Sequence, residues 1–180
     1  MKLKDFKLER YFAQHEFTSK HLLSSSDCDG YELNYLLDVA SKDELKLWNE
    51  IKLGYTESAG SPVLRDSILQ YYKTKDINHA VVASPGELNF VAMNVLLDSQ
   101  RHVVVVSPAY QSLHEVVQSL HCEMSYWSPN DKWEFDTSDL ELLIQKNTKL
   151  IILNFPHNPT GSYLMLDQLK EIVTIAEKNN

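Results

Sequence analysis

The stretch of sequence that decides the fold runs from Lys149 to Gly161 and reads KLIILNFPHNPTG. Its apolar first half, residues 149–154, is typical of a buried strand, and a helix is predicted after it at residues 165–178. The loop between them contains two prolines, which restrict the backbone, and the Asn158-Pro159 bond is a candidate cis peptide. Because this loop is stiff, it would present the Asn158 amide rigidly, where it could donate a hydrogen bond to a ligand oxygen.

Strands and helices alternate in the sequence before this stretch. Residues 102–106 form a continuous β-branched run, as expected of a strand covered on both faces, and residues 80–83 and 122–127 are further candidate strands. Candidate helices occupy residues 62–72, 89–97, 110–120 and 137–145. This alternation predicts an α/β fold with a mostly parallel sheet and flanking helices, preceded by an N-terminal arm.

Three loops of this predicted fold lie where such folds bind ligands, beyond the carboxyl ends of the strands. They are residues 84–88, 107–110 and 154–161. Tyr110 in the second loop follows a buried strand, so its ring could stack on a flat ligand or pack against its own helix. His157 in the third loop could titrate near neutral pH, although a loop histidine without a chemical role is the commoner case.

The first of these loops could hold an anion. The backbone N–H groups around Gly86, Glu87 and Leu88 open the next helix, and a helix N-terminus favours negative charge. The Glu87 carboxylate would repel a phosphate if it pointed inward, so an ordinary strand-to-helix turn stays an open alternative. A dinucleotide site would need G-x-G-x-x-G after the first strand, and the sequence contains no such run.

Composition narrows the class of protein. The chain has 180 residues and a formal net charge of −8, and this acidity argues against a nucleic-acid partner. The longest apolar runs, residues 103–106 and 150–153, are far too short to cross a bilayer. Cys28 and Cys122 make no disulfide framework and fit a reducing compartment, which predicts a cytoplasmic protein. The sequence predicts no metal site.

Four motifs together resemble those of one enzyme family. Asn158-Pro159-Thr160-Gly161 is similar to the Asn-Pro-x-Gly signature of class I/II aminotransferases, which are pyridoxal-phosphate (PLP) enzymes of fold type I. Three earlier segments resemble other family elements in the family's order. They are Tyr55 to Gly60 followed by Leu64-Arg65, Ser84 to Glu87, and Pro108-Ala109-Tyr110. The resemblance covers the chain from about Leu53 to its end.

The resemblance implies PLP as cofactor and a role for each matching residue. Asn158 would hydrogen-bond the phenolic oxygen of PLP, and Tyr110 would stack on its pyridine ring. The backbone at Gly86, Glu87 and Leu88 would hold the phosphate group. The substrates implied are an amino acid, or a related amine, and a keto acid.

The resemblance also implies a homodimer and a division of the chain. Tyr55 would reach across the dimer interface to the phosphate bound by the partner subunit, whereas Arg65 would be structural. Residues 1–50 would form an N-terminal arm and a segment of the small domain. Residues 51–180 would form a partial, truncated PLP-binding large domain.

In the family, the Schiff-base lysine and the acidic partner of the pyridine nitrogen follow the Asn-Pro-x-Gly motif. Lys170 and Lys178 lie in a predicted helix without a Ser-x-x-Lys context, so the Schiff-base lysine is expected beyond Asn180. We therefore expect an N-terminal fragment of an aminotransferase that works by ping-pong amino-group transfer, with no catalytic residue in this chain and no activity alone. A PLP lyase, decarboxylase or cyclase stays open within the class, and a non-catalytic remnant or binding module stays open outside it.

A finer resemblance is to a subgroup related to capreomycidine synthase, an enzyme that cyclises a hydroxylated arginine. The sequence shares with that subgroup the run Ser25-Ser26-Asp27, an acidic residue at Glu87, and the run Pro-His-Asn-Pro-Thr-Gly at residues 156–161.

Overall fold

The computed structural model describes residues 3–24 and 27–179. Within this part, three strands are β1 (His102–Val106), β2 (Glu123–Trp127) and β3 (Thr148–Ile152). The α-helices are α1 (Lys7–His15), α2 (Leu33–Val39), α3 (Lys42–Asn49), α4 (Pro62–Leu69), α5 (Pro85–Leu96), α6 (Glu115–Ser119), α7 (Thr137–Leu143) and α8 (Leu166–Lys178). Short 3-10 turns cover Ile77–His79 and Gln111–Leu113.

The chain forms two compact units. We call residues 3–24 with 85–179 the sheet unit and residues 27–84 the helical unit, in both cases within the described part of the chain. The predicted division of the chain into residues 1–50, an N-terminal arm with a segment of the small domain, and residues 51–180, a partial large domain, stays a prediction.

The sheet is parallel, with strand order β2-β1-β3. Val104 of the central strand pairs with Ser125 on one side and with Ile151 on the other. All five residues of β1 have 0% exposure. A parallel strand buried on both faces needs apolar side chains on both, which explains the four consecutive valines and confirms the predicted α/β fold.

Two apolar clusters pack on opposite faces of this sheet. Val103 and Val105 belong to one cluster, and Val104 and Val106 belong to the other, as the two-residue period of a strand requires. The first cluster is completed by Met93, Leu97, Val116, Val117 and Ile152. The second is completed by Trp127, Phe135, Leu140, Leu164 and Ile172. The sheet unit therefore has a two-layered core that its own helices cover.

A buried histidine joins the three strands where β1 begins. His102 Nδ1 lies 2.8 Å from Thr148 Oγ1, and its Nε2 lies 3.0 Å from Ser125 Oγ. Burial lowers the pKa of His102. The neutral imidazole satisfies both of its nitrogens through hydroxyl groups, which can donate or accept.

The helical unit is held by local polar contacts. Ser41 and Glu44 form a capping box at the start of α3. Arg65 donates from Nε to the Ala80 carbonyl at 2.7 Å and from Nη2 to the Ile77 carbonyl. These two hydrogen bonds match the structural role expected of Arg65. Helices α2 and α3 bury none of their described residues.

Several predicted element boundaries are wrong. Residues 80–83 form no strand, since Val82 makes a single backbone hydrogen bond to Ala59 rather than a ladder. Helix α5 begins at Pro85 rather than at residue 89, because proline suits the first helical position, where no N–H donor is needed. The helix predicted at residues 110–120 is a 3-10 turn followed by α6.

Candidate functional site

A cavity of about 630 Å³ lies at the carboxyl edge of the sheet, within the sheet unit. Its walls come from residues 4–9, called the N-terminal segment below, from the first turns of α5, and from the loops that follow β1 and β3. The residues that line it are Phe6, Glu9, Pro85, Gly86, Asn89, Tyr110, Ser112, Leu113, Asn154 and Asn158. The structure thus brings together residues from all three loops predicted to carry the site.

The strand order explains this convergence. Strands β1 and β3 are neighbours and run parallel, so the loops that leave their carboxyl ends emerge at the same edge of the sheet. Tyr110 follows β1 by four residues, and Asn154 and Asn158 follow β3. Side chains that are 44 to 48 residues apart in sequence are thereby placed around one cavity.

The first turn of α5 forms another wall of the cavity. Gly86 lines the cavity, and the first N–H groups of the helix have no carbonyl acceptor within the helix. Glu87 and Leu88 follow in the same turn but are not among the described residues that line the cavity. The Glu87 side chain is exposed. Asn89 Nδ2 donates to Ser112 Oγ at 3.3 Å, which connects α5 to the loop after β1.

The Tyr110 ring is fixed from two directions. Phe6 packs on it edge to face, with ring centroids 4.6 Å apart and an interplanar angle of 75°. The Tyr110 hydroxyl donates to the Glu9 carboxylate. This hydrogen bond, with smaller effects of burial and of the Glu9 charge, raises the pKa of Tyr110 to about 12. The phenol is therefore neutral at physiological pH.

The N-terminal segment is bound through Lys4 and Asp5 to the region around α6. The Lys4 backbone N–H donates to Glu115 Oε1 at 3.3 Å, and its Nζ donates to Gln118 Oε1 at 3.1 Å. Gln111 Nε2 donates to the Asp5 carbonyl at 3.1 Å. These contacts place the residues that follow, Phe6 and Glu9, at the cavity.

Sequence reasoning missed Phe6 and Glu9. They lie about 100 residues before Tyr110, in a segment predicted only to be part of an N-terminal arm. No motif or spacing marks them, because their place in the site depends on contacts that are distant in sequence. The only signal was the aromatic content of residues 6–23.

His157 holds two of the site loops together. It is 1% exposed, its Nε2 lies 2.6 Å from the Pro108 carbonyl, and its Nδ1 lies 2.7 Å from Thr160 Oγ1. Because a carbonyl only accepts, Nε2 carries the proton that it donates. The histidine therefore connects the loop of Tyr110 to the loop of Asn158. The expectation that His157 has no chemical role stays a prediction, but its side chain has a structural role, since it is buried and bonded at both nitrogens.

The predicted cis bond between Asn158 and Pro159 is present. The Ser107-Pro108 and Phe155-Pro156 bonds are also cis.

Tyr55 belongs to the helical unit, and its side chain is fully exposed. Its predicted contact with a partner subunit stays a prediction. The run Ser25-Ser26-Asp27 lies partly outside the described residues, which resume at Asp27.

The expected position of the Schiff-base lysine, beyond Asn180, also stays a prediction. Asn180 itself lies outside the described residues, which end at Asn179. The two lysines of α8 bond to carboxylates, Lys170 to Asp167 and Lys178 to Glu141, and neither is among the described residues that line the cavity.

The described residues lack two kinds of feature. No group of three or more His, Cys, Asp or Glu side chains is placed to hold a metal ion. In the same part of the chain, no helix has the length and apolar character needed to span a membrane.

Comparison with known proteins identifies the family. The family model for aminotransferase class I and II matches residues 18–180. The chain belongs to this family. The match includes the loops after β1 and β3 and the first turn of α5, so three walls of the cavity lie in the matched region.

Individual relatives agree with this assignment. The chain is 34% identical over 134 residues to an aspartate aminotransferase of Pyrococcus horikoshii, a match that covers 70% of this chain and 34% of the relative. It is 29% identical over 166 residues to a capreomycidine synthase of Streptomyces vinaceus, covering 89% of this chain and 41% of the relative. A solved PLP-dependent aminotransferase from Streptococcus suis superposes with a TM-score of 0.88 and 27% identity, covering 99% of this chain and 50% of that one. The chain thus spans between a third and a half of the length of these relatives.

Proposed function

We propose that this chain supplies the PLP-binding region of an aminotransferase, which exchanges an amino group between an amino acid and a keto acid by a ping-pong cycle. One observation carries the proposal: Gly86, Tyr110 and Asn158 line the same cavity although they are distant in sequence. Membership of the aminotransferase family supports it.

The groups around the cavity fit PLP. Its volume of about 630 Å³ falls in the range of about 300–1,000 Å³ typical of sites for small molecules. A flat aromatic cofactor with a phosphate needs a ring to stack on, an anion site and polar groups at its edge. Tyr110, the first turn of α5, and the amides of Asn154 and Asn158 are groups of these three kinds.

Each residue would have a separate task. The N–H groups of the first turn of α5 would bind the phosphate, where the helix dipole favours negative charge. The Tyr110 ring, oriented by Phe6, would cover one face of the cofactor. Asn158 would hydrogen-bond the phenolic oxygen, and His157 would hold the Asn158 loop in place. When bound, PLP supplies the electron sink for chemistry at the carbon that bears the amino group.

The activity of the whole protein is part of the proposal. The family resemblance puts the cofactor-binding lysine after the Asn-Pro-x-Gly motif, which here ends at Gly161, and we propose a position for it beyond Asn180. We also propose that the protein works as a homodimer in which Tyr55 reaches the phosphate bound by the partner subunit. In that case Tyr55→Phe should weaken PLP binding, and Tyr71→Phe, which changes another exposed tyrosine of the helical unit, should not.

The direct test is a titration of PLP into the purified protein, followed by absorbance. We expect Asn158→Ala to weaken PLP binding at least about tenfold, as for the loss of a hydrogen bond to a charged group. The pH at which the absorbance of the bound cofactor changes should also shift. Unchanged affinity together with an unchanged pH profile would remove Asn158 from this role.

Asn94→Ala is the matched control. Asn94 lies on α5, is exposed, and bonds only locally to the Phe90 carbonyl among the contacts described. Its replacement should leave both the affinity and the pH profile unchanged. Urea unfolding of both variants would show that a change in PLP binding does not reflect a loss of fold.

A PLP-dependent cyclase is a second candidate function. The similarity to capreomycidine synthase extends over 89% of this chain, more than the 70% matched by the aspartate aminotransferase. The two functions differ in where the amino nitrogen of the substrate ends up. With a ¹⁵N-labelled amino acid and an unlabelled keto acid, an aminotransferase would deliver the label to the keto acid, whereas a cyclase would keep it in its product.

A further inference from the structure

Helix α5 carries an amide at a position where the helical period calls for an apolar residue. Asn89 and Met93 are four residues apart, so their side chains lie on the same face of the helix. Met93 is buried in the first apolar cluster, and Asn89, one turn earlier, is half-buried. A polar group at such a position is costly unless it is hydrogen-bonded, and the Asn89 amide does form a hydrogen bond.

The Asn89 side chain is bonded to the loop that carries Tyr110. Its Nδ2 donates to Ser112 Oγ at 3.3 Å, and both residues line the cavity. The two residues are 23 positions apart in sequence. The hydrogen bond therefore joins two walls of the cavity, the first turns of α5 and the loop after β1.

Three neighbouring residues hold Tyr110 in place from different directions. Gln111 donates to the backbone of the N-terminal segment, and Leu113 packs on the first apolar cluster. Ser112, between them, is bonded to α5. Of these three contacts, the one made by Ser112 reaches the helix whose first N–H groups open the cavity wall. It therefore sets the distance between the Tyr110 ring and the start of α5.

We propose that Asn89 and Ser112 are a positioning pair, which fixes the distance between the two walls that a flat, phosphorylated cofactor has to reach at once. The inference rests on the proposed function, in which the first turn of α5 binds the phosphate and Tyr110 stacks on the ring. Neither side chain of the pair takes part in amino-group transfer. Loss of the pair loosens the spacing, so it weakens a ligand that touches both walls and spares a ligand that touches the ring wall alone.

The test compares two ligands that differ only in the phosphate. Pyridoxine phosphate and pyridoxine are titrated calorimetrically into the purified protein, and because they are alcohols they form no Schiff base with a lysine. In Asn89→Ala and in Ser112→Ala, we expect the affinity for pyridoxine phosphate to fall about fivefold, as for the loss of one neutral hydrogen bond. The affinity for pyridoxine should stay the same. Because the two residues act as a pair, the double variant should lose no more than either single variant.

Two further variants are matched controls. Asn94→Ala makes the same change at an exposed asparagine of α5, and Ser112→Thr keeps a hydroxyl for Asn89. Both should bind each ligand as the unchanged protein does, and urea unfolding checks that every variant is folded.

Three outcomes would overturn the inference alone: unchanged affinity for pyridoxine phosphate in the alanine variants of the pair, additive losses in the double variant, or an equal loss for both ligands. Failure of the unchanged protein to bind pyridoxine phosphate would overturn the proposed function, and the inference with it.

Discussion

The sheet unit and the helical unit differ in how much of their apolar sequence they bury. In the sheet unit, β1 is wholly buried and two apolar clusters cover its faces. In the described residues of the helical unit, only Leu69 and Ala80 are buried apolar residues. The difference shows that the sheet unit contains its own core. The apolar side chains of α2 and α3, in contrast, are not buried in a core among the described residues.

The largest expected effect on stability is seen when one tryptophan of each unit is replaced by alanine. Trp127 is 1% exposed and donates from Nε1 to the Asp136 carbonyl at 2.8 Å, whereas Trp48 on α3 is 45% exposed. Trp127→Ala should lower the free energy of unfolding by about 3–5 kcal/mol. Trp48→Ala should change it by about 0.5 kcal/mol. Urea unfolding measures both, and equal losses would show that the helical unit is packed as tightly as the sheet unit.

The same contrast explains what the sequence could predict. The valine run of β1, the strand near residues 149–154 and helix α8 were predicted correctly, because burial on both faces and helical spacing leave strong local patterns. The predicted strand at residues 80–83 was wrong, since four apolar residues form a strand only if a partner strand is present.

The candidate site was predictable in part for the same physical reason. Gly86, Tyr110 and Asn158 were found from their loops, because parallel strands deliver those loops to one edge of the sheet. Glu9 was not found, since no local pattern marks a residue that reaches the cavity through contacts distant in sequence. The bridging role of His157 was missed too, because a bridge between two loops depends on their spacing in three dimensions.

A pair of histidines gives the next largest effect. His157 in the sheet unit is buried and bonded at both nitrogens, whereas His79 in the helical unit is exposed and bonds Thr74 Oγ1 at 2.8 Å. His157→Ala should cost about 2 kcal/mol of stability, from two hydrogen bonds of about 1 kcal/mol each. His79→Ala should cost less than about 1 kcal/mol.

A conservative variant separates the contribution of His157 to folding stability from its contribution to PLP binding. His157→Gln keeps an Nε2–H donor for the Pro108 carbonyl, so it should recover PLP affinity better than His157→Ala. If both variants bound PLP as the unchanged protein does, His157 would matter for folding and not for the site.

Two glycines test whether the helical unit, despite its few buried residues, is tightly packed at the turn that contains Gly60. Gly60 has φ of +99°, and a Cβ there would lie 2.9 Å from Val82 Cβ. Gly161 in the sheet unit has φ of +73°, with no atom within 4 Å of an added Cβ. Both alanine variants bear a backbone cost of roughly 1–2 kcal/mol, and Gly60→Ala adds a steric clash. Thermal unfolding should therefore rank Gly60→Ala as the more damaging, and the reverse order would contradict the packing of Gly60 on Val82.

The smallest effect is a dependence of stability on pH that belongs to the sheet unit. Burial lowers the pKa of His102 in the folded protein, so the unfolded chain binds its proton at a higher pH than the folded protein does. The stability that the neutral ring contributes is present above the unfolded pKa of about 6.5 and is lost as the pH falls below it, by less than about 1.4 kcal/mol per pH unit. His114, whose pKa is also lowered by burial, acts in the same direction.

Urea unfolding at pH 7.5 and at pH 5.5 separates the contribution of His102 to this pH dependence from that of His114. His102→Gln keeps an amide that can bond to Ser125 or Thr148 but cannot titrate, so the difference in stability between the two pH values should shrink in this variant. His15→Gln, which changes an exposed histidine in the last turn of α1, should leave that difference as it is. A pH dependence that persists undiminished in His102→Gln would place the titrating groups elsewhere than at the start of β1.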